Sequence, residues 1–558
     1  MLRSKLASSL LRIVASCSLT AKPQSRRLKR DQRSCGTEQL EVRQLLTGDF
    51  VSAERFGSNG TDTGYTTTID ASGNVYTAGT FSGTVAFGTG AGMTTLVSVS
   101  GSRDIFVTKT SSAGNFVWAK KMGGSSDDEA NGIAVDGSGN VYTTGAFQGT
   151  ANFDPNGGMT NLISPGFGDI FVSKLNSAGN FVWAKRMGGV GSDVGNGIAV
   201  DGSGNVYTTG FFHDTADFNP SDVATANRTS TGSTDIFVSK LDSAGNYVWA
   251  KRMGGNGEDK AHGIAIDGSG NVHTTGRFTN IVDFDPGFGT AELTGSPDSL
   301  STFVSKLDSA GNHVWAKGTR AQDVRGIAVS ASGTVYTTGG FRGTVDFDPG
   351  NNTANLTSAS PANNDAFVLK LDPQGNYAWA KRLGGASGAV ASGIAFDVQG
   401  NVYTTGRFSG TADFDPDGGV TAELMSAGAT DIFVSKLDNA GNFAWAKKMG
   451  GMQPDEGHSI AVDGFGNIYT TGGFMGTADF DPGSGTANLT SAGANDIFVS
   501  KLSPDFLYQT TAAGADDIVL RRNGNNLEIF DKVLNQVTES HAISQIRNVK
   551  ITGQSNQD

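Results

Sequence analysis

Four stretches of the chain read Asp-Phe-Asp-Pro, placing two carboxylates on either side of one phenylalanine: Asp283 and Asp285, Asp346 and Asp348, Asp413 and Asp415, Asp479 and Asp481. Two variants replace one acid by an amide, at Asn152 and at Asn219. In an extended chain, residues two apart project to the same side. Two like charges held close favour a bound cation, and hard carboxylate oxygens suit Ca²⁺. These eight aspartates are therefore the candidate metal ligands. A second reading needs no metal: Asp before Pro-Gly makes a turn, with the carboxylate accepting backbone N–H bonds. No copy has the alternating acids, fixed Gly and terminal Glu of a Ca²⁺ loop.

Catalysis would need residues that break the pattern and converge. The six histidines are the natural candidates. His273 stands where related segments have Tyr, and His313 where they have Phe or Tyr, so both read as packed aromatic replacements. His262 and His458 share one position, occupied elsewhere by Asn131, Asn196, Arg325 or Ser392. His213 neighbours Asp214 in an expected loop. No nucleophile–base or metal-ligand spacing accompanies any of them, so no catalytic or cofactor-binding residue is assigned and no enzyme is expected. Both cysteines, Cys17 and Cys35, lie near the start, which leaves residues 49–558 without disulfide, thiol or Cys-based zinc chemistry.

The elements that position these groups recur. Segments like "GIAVD", "GNVYTTG", "DIFVSKLDSAGN" and "FVWAKRMGG" follow one another in fixed order, with the third beginning at Asp104, Asp169, Asp235, Ser301, Asp365, Asp431 and Asp496. Each is rich in aromatic and β-branched residues and bounded by Gly, Asp, Ser and Asn, as strands are. Four antiparallel strands repeated radially predict an all-β fold, a seven-bladed β-propeller of four-stranded antiparallel blades. The last unit stops after "DIFVSKLSP". The first copy of the fourth segment, "DFVSAERFG" from Asp49, stands alone ahead of the array, with Ser52 where the six other copies carry the protein's six tryptophans. That isolated strand is expected to complete the last blade and so close the ring with N- and C-terminal strands. The connections between second and third strands, and those leading into the next unit, emerge on one face and make it acidic.

The segments "GIAVDGSGNVYTTG", "DIFVSKLDSAGN" and "WAKRMGG" resemble the bacterial seven-bladed β-propeller repeat (SBBP-type) family over about residues 49–506. The resemblance implies a propeller in a secreted or surface protein and brings no catalytic residues with it. Residues 1–48 are expected to be an export and targeting leader. They hold ten Lys/Arg against three Asp/Glu, and "RRLKRDQRSCGTEQLEVRQLLTGDF" resembles a planctomycete-type extracellular N-terminal motif with its core at Leu40, Glu41, Arg43, Leu45 and Leu46. Residues 507–558 leave the period and predict a small β segment with a hairpin at Asn523-Gly524, followed by a strand-like "IRNVKITG".

The total charge of −12 leaves −19 for residues 49–558, which excludes nucleic acid as the main partner. No apolar run is long enough for a transmembrane helix. The sequence thus points to a monomeric, secreted or cell-surface, non-catalytic binding or structural module. A surface glycan or protein is its expected partner. The alternative is a secreted glycan-acting enzyme with its site in the central channel.

Overall fold

The computed structural model describes residues 48–503, apart from 89–91, 100, 222, 296–299 and 417–421, together with three strands between 518 and 542. The leader expected at residues 1–48 lies outside the described residues except for Gly48, and "IRNVKITG" lies outside them altogether.

Every repeat unit folds as the segments predict. In one unit Glu129–Val135, Val141–Phe147, Asp169–Leu175 and Phe181–Gly189 pair in that order, all antiparallel. The turn between the first two strands is set by one carboxylate: Asp136 accepts from Ser138 N, Asn140 N, Asn140 Nδ2 and Tyr142 Oη, at 2.7–3.0 Å. First strands form the inner circle. Thr63–Ile69 packs against Glu129–Val135, and the contacts continue unit by unit to Asp455–Val462, which returns to Thr63–Ile69. Sheets stacked this way bury both faces, which is why second strands such as "VYTTGAF" are almost wholly buried.

The isolated strand Phe50–Phe56 pairs antiparallel with Asp496–Leu502, in the register Ala53 to Ser500 and Phe56 to Ile497. Ser503 N donates to Asp49 O at 2.8 Å, in the way that Asn176 N donates to Asn180 O across an ordinary third-to-fourth-strand turn. The two chain segments thus reproduce a turn without being joined by one.

The expectation of seven separate four-stranded blades is overturned. Five blades stand apart from one another, those whose first strands are Thr63–Ile69, Lys260–Ile266, Asp323–Val329, Ala389–Phe396 and Asp455–Val462; the first and fourth of these also take in the short hairpin of the following unit. The strands from Glu129–Val135 through Tyr247–Gly255, without the hairpin Thr150–Asn152 and Asn161–Ile163 but with the hairpin Ile281–Asp283 and Glu292–Thr294 that follows, belong instead to one continuous ten-stranded sheet. Two features cause the fusion. The connection after each second strand is not a plain loop; it carries a short hairpin, such as Thr150–Asn152 with Asn161–Ile163. That hairpin reaches back to the Gly-Gly end of the preceding unit, pairing Ala151 with Gly124. In the unit that follows Phe181–Gly189 the hairpin is continuous with its own blade, as Val206–Asp217 and Asn227–Leu241. β-Branched Thr229, Thr231 and Thr234 keep the chain extended where other units break at small residues and Pro, such as Ser164-Pro165-Gly166 and Ser426-Ala427-Gly428. Pairing of Gly188 with Asp217 then joins two units into one sheet.

Side chains lock neighbouring units. The ring of Tyr142 meets Trp183 at 6.2 Å, and Lys174 Nζ sits 4.9 Å from the Tyr142 centroid. Lys174 Nζ and Trp183 Nε1 both donate to Ser243 O in the next unit, at 3.3 Å. At the chain end, Ile518–Asn523 and Asn526–Asp531 form the expected hairpin, and a third strand, Gln536–Ala542, extends it into a sheet. The sequence does not announce that third strand, because "QVTESHA" lacks a flanking Gly or Pro.

Candidate functional site

The carboxylates in and beside the connections divide into two groups. In the Asp-Phe-Asp segments the phenylalanine decides the geometry. Phe284 is fully buried and packs on Phe278 and Phe303, at 5.8 and 4.8 Å. This leaves the flanking acids at the surface end of the connection, where they bind backbone. Asp283 Oδ1 accepts from Asp285 N and Ala291 N at 2.9 and 2.8 Å, and Asp285 Oδ1 accepts from Gly287 N at 2.8 Å. The pattern repeats: Asp346 Oδ1 bonds Asp348 N and Ala354 N, and Asp348 Oδ1 bonds Gly350 N. Asp413 accepts from Asp415 N and Ala422 N. Asp479 accepts from Asp481 N and Ala487 N, and Asp481 from Gly483 N. The first acid of each pair is thus a turn carboxylate in the manner of an Asx-turn. Among the described residues, no group of three or more His, Cys, Asp or Glu is placed to hold a metal ion. Asp283 and Asp285 also line a polar cleft of about 370 Å³ with Arg228, Lys251 and Arg252.

The second group is buried, and sequence reasoning missed it. Asp104, Asp169, Asp235, Asp365, Asp431 and Asp496 begin the repeated third-strand segments and have no exposed surface. Each pairs with a base on the fourth strand: Asp104 with Lys121 at 2.7 Å, Asp365 with Arg382 at 2.7 Å, Asp431 with Lys448 at 3.6 Å, Asp496 with Arg55 at 3.1 Å, and Asp169 and Asp235 with Arg186 and Arg252. A second buried aspartate follows the Gly-Gly pair. Asp128 Oδ2 accepts from Gly124 N at 2.6 Å, while its Oδ1 accepts from Gln148 N, at the end of the next unit's second strand, at 3.2 Å. One carboxylate therefore clasps two units. Asp193, Asp259, Asp455 and Asp62 make the same clasp. The signal was available: an Asp five residues after the first Gly of "GGSSDD", "GGVGSD", "GGNGED" and "GGMQPD". Only burial distinguishes it from neighbours such as Asp127, which is half-buried and paired with Arg103 at 2.9 Å.

The histidines do not converge on a reaction centre. Each first strand has a β-bulge, and His262 and His458 are bulged residues, as are Tyr65, Asn131, Asn196, Arg325 and Ser392. Bulges re-aim side chains. Here most of them reach along the inner circle to the next first strand: Asn131 Nδ2 donates to Gly195 O, Asn196 Nδ2 to Ala261 O, and His458 Nδ1 contacts Gly64 O. His458 also bonds Glu456 Oε2 at 3.4 Å and stacks on Tyr65. His273 takes the place of tyrosine as expected, bonding Asp267 at 3.2 Å and meeting Trp315 edge-on. His213 pairs with its neighbour Asp214 at the surface. None of these partners is a hydroxyl or a thiol.

Five segments, residues 117–146, 182–210, 248–281, 378–410 and 445–472, match the family model described as a beta-propeller repeat, SBBP. The chain is 25% identical over 442 residues to an uncharacterized WD repeat-containing protein, L264, of Acanthamoeba polyphaga mimivirus, covering 68% of this chain and 32% of that one. It is 30% identical over 189 residues to the regulatory protein FlaEY of Caulobacter vibrioides, covering 31% of this chain and 19% of that one. It therefore spans a third or less of either relative. Among solved structures, Sqt1 from Chaetomium thermophilum aligns over 86% of this chain and 96% of that one, at 11% identity and a TM-score of 0.36. Apo AztD from Citrobacter koseri aligns over 72% and 96%, at 10% identity and a TM-score of 0.28. Five segments of this all-β propeller chain thus match the SBBP repeat.

Proposed function

We propose that the protein is a non-catalytic interaction module, exported to the cell surface or secreted, that binds a partner through the connections on one face. One observation carries this reading. The repeated side chains are engaged in joining units, whereas the connections that follow second and fourth strands differ from unit to unit and expose large apolar groups. Phe167, Met159 and Val190 are 79%, 84% and 65% exposed there, and Met452 is 74% exposed. Phe167 and Val190 come from adjoining connections, tied by Phe167 N donating to Gly191 O at 3.2 Å. Exposed apolar groups rimmed by polar residues suit protein contact better than glycan contact. The WD repeat-containing relative is in keeping with a protein partner. Immobilised protein exposed to a surface-protein extract and to a glycan array tests the assignment. Retention of a specific partner by the parent, and its loss in a Phe167→Ser, Val190→Ser, Met452→Ser variant, is expected. A partner retained equally by the variant would refute this face.

The rival reading, a glycan-acting enzyme, draws on the inner circle, where Tyr65, His262, Arg325 and His458 break the repeat. Turnover of any arrayed glycan, lost in His262→Ala or His458→Ala, would favour it.

A further inference from the structure

The clasps between units contain more acid than base. At one joint Asp104 and Asp128 face a single Lys121. Asp104 Oδ1 is fully enclosed with no hydrogen-bond partner among the described residues, and the same oxygen is unpartnered in Asp169, Asp235, Asp365, Asp431 and Asp496. At two joints the second carboxylate borders the same small space: a Cβ on Gly123 would lie 2.7 Å from Asp104 Oδ1 and 2.9 Å from Asp128 Oδ2, and one on Gly188 would lie 2.9 Å from Asp169 Oδ1 and 2.8 Å from Asp193 Oδ2. We propose that at five joints the two buried aspartates bind one proton between them, and that its loss as pH rises through neutrality loosens the ring. The clasp aspartate is the acid. Its O–H donates to the orphaned Oδ1 of its neighbour, while its oxygens still accept the two backbone N–H bonds that join the units.

The chain holds its own control. At one joint all three charged positions are replaced together: Ser301 stands for the first aspartate, Gly318 for the base, and Gln322 for the clasp. Gln322 Oε1 accepts from Arg342 N at 2.8 Å, as Asp128 accepts from Gln148 N. A neutral group therefore makes the bond to the next unit, while Gln322 Nε2 donates to Arg320 O at 3.1 Å on the other side. At another joint Ala389 replaces the clasp aspartate, and Asp365 keeps its Arg382 with its Oδ1 still unpartnered, so that joint has no acid to share a proton and should not respond to pH in this range.

The surrounding charges favour retention of the proton. Burial, aided by Asp104 and Asp127, raises Asp128 to about 7. Burial raises Asp259 to about 7, with Asp235 opposed by Arg252, and Asp455 to about 7, with Asp431 beside it and Lys448 on that neighbour. Asp193 rises to about 6, again chiefly through burial, with Asp169 opposed by Arg186. Burial also raises Asp62, which faces Arg55 and Asp496. A carboxyl whose folded pKa lies above its unfolded value holds more protons in the native state. Its stabilisation is complete below the ordinary carboxyl range and is lost as pH rises through the folded value.

Melting temperature of the full chain, followed from pH 5 to pH 9, tests the proposal. The parent should lose roughly 3 °C or more between pH 6 and pH 8.5. A variant with Asp128→Asn, Asp193→Asn, Asp259→Asn and Asp455→Asn should lose that dependence and melt above the parent at pH 8.5. A parent curve that is flat or rises across this window overturns the proposal, as does a variant that melts lower at every pH. If the variant does not fold, infrared spectroscopy of the native parent decides. A protonated-carboxyl band at pH 7 that vanishes by pH 9 is expected, and its absence at pH 7 overturns the proposal.

Discussion

Gly123 shows how one residue type can hold a joint together. Its φ of +146° lies where side chains are disfavoured, and the space a Cβ would take is bounded by Asp104 and Asp128. Gly123→Ala should therefore cost about 3 kcal/mol in denaturant unfolding, since strain adds to displacement of a buried carboxylate. His273 is the converse case, a substitution tolerated at some expense. Tyrosines at its position donate a hydroxyl to the turn aspartate, as Tyr142 does to Asp136 at 3.0 Å. His273 reaches Asp267 with Nε2 but leaves Nδ1 enclosed and unpartnered. Burial, opposed by the Asp267 bond and aided by Lys306, lowers its pKa to about 4, so the folded chain keeps it neutral while the unfolded chain protonates near 6.5. That contribution is full above pH 6.5 and falls away toward pH 4. His273→Tyr should remove this acid sensitivity and raise stability by about 1 kcal/mol, measured by urea unfolding at pH 5 and pH 8.

Among the elements, the strand Phe50–Phe56 explains its own missing tryptophan. Elsewhere Trp packs beneath the turn glycine of the next unit; a Cβ on Gly179 would lie 3.0 Å from Trp118, and one on Gly245 3.1 Å from Trp183. On the near side of the seam, Gly48 takes that role against Trp445, at 3.0 Å. On the far side Ser52 replaces Trp, and Gly114 has nothing within 4 Å of its Cβ position. Ser52→Trp should bury its ring against that turn and raise stability by about 1–2 kcal/mol, seen as a higher midpoint in chemical unfolding. The Asp-Phe-Asp hairpins carry a different expectation. Because the Oδ1 of Asp283, Asp346, Asp413 and Asp479 already serves two backbone N–H groups, millimolar Ca²⁺ should leave the melting temperature unchanged. A rise on titration, abolished by Asp285→Asn, would show instead that the pairs take the ion.

For the whole molecule, closure rests on contacts between residues more than 400 apart, such as Arg55 with Asp496 and Asp49 with Ser503. Deleting residues 49–57 should expose the edge of Asp496–Leu502 and lower the melting temperature more than any single substitution named above; calorimetry would reveal an open ring that melts as readily as the parent if closure contributes nothing. The sequence alone determined the strands, their antiparallel order and the partner of the isolated first strand. Those features follow from local periodicity, turn chemistry and repetition, and each unit states them independently. It also located the Asp-Phe-Asp turns and the tyrosine-like role of His273. Only the tertiary structure decided which acids lie inside and how many blades stand apart. Asp127 and Asp128 are adjacent and alike in type, yet one faces water and the other two neighbouring units, because burial depends on what the ring brings alongside. Likewise the repeat period counts units, whereas the separateness of blades depends on where Gly-Gly ends meet the following hairpin. At Gly188 and Asp217 that meeting fuses two units into one sheet, through backbone hydrogen bonds between residues far enough apart that no local pattern records them.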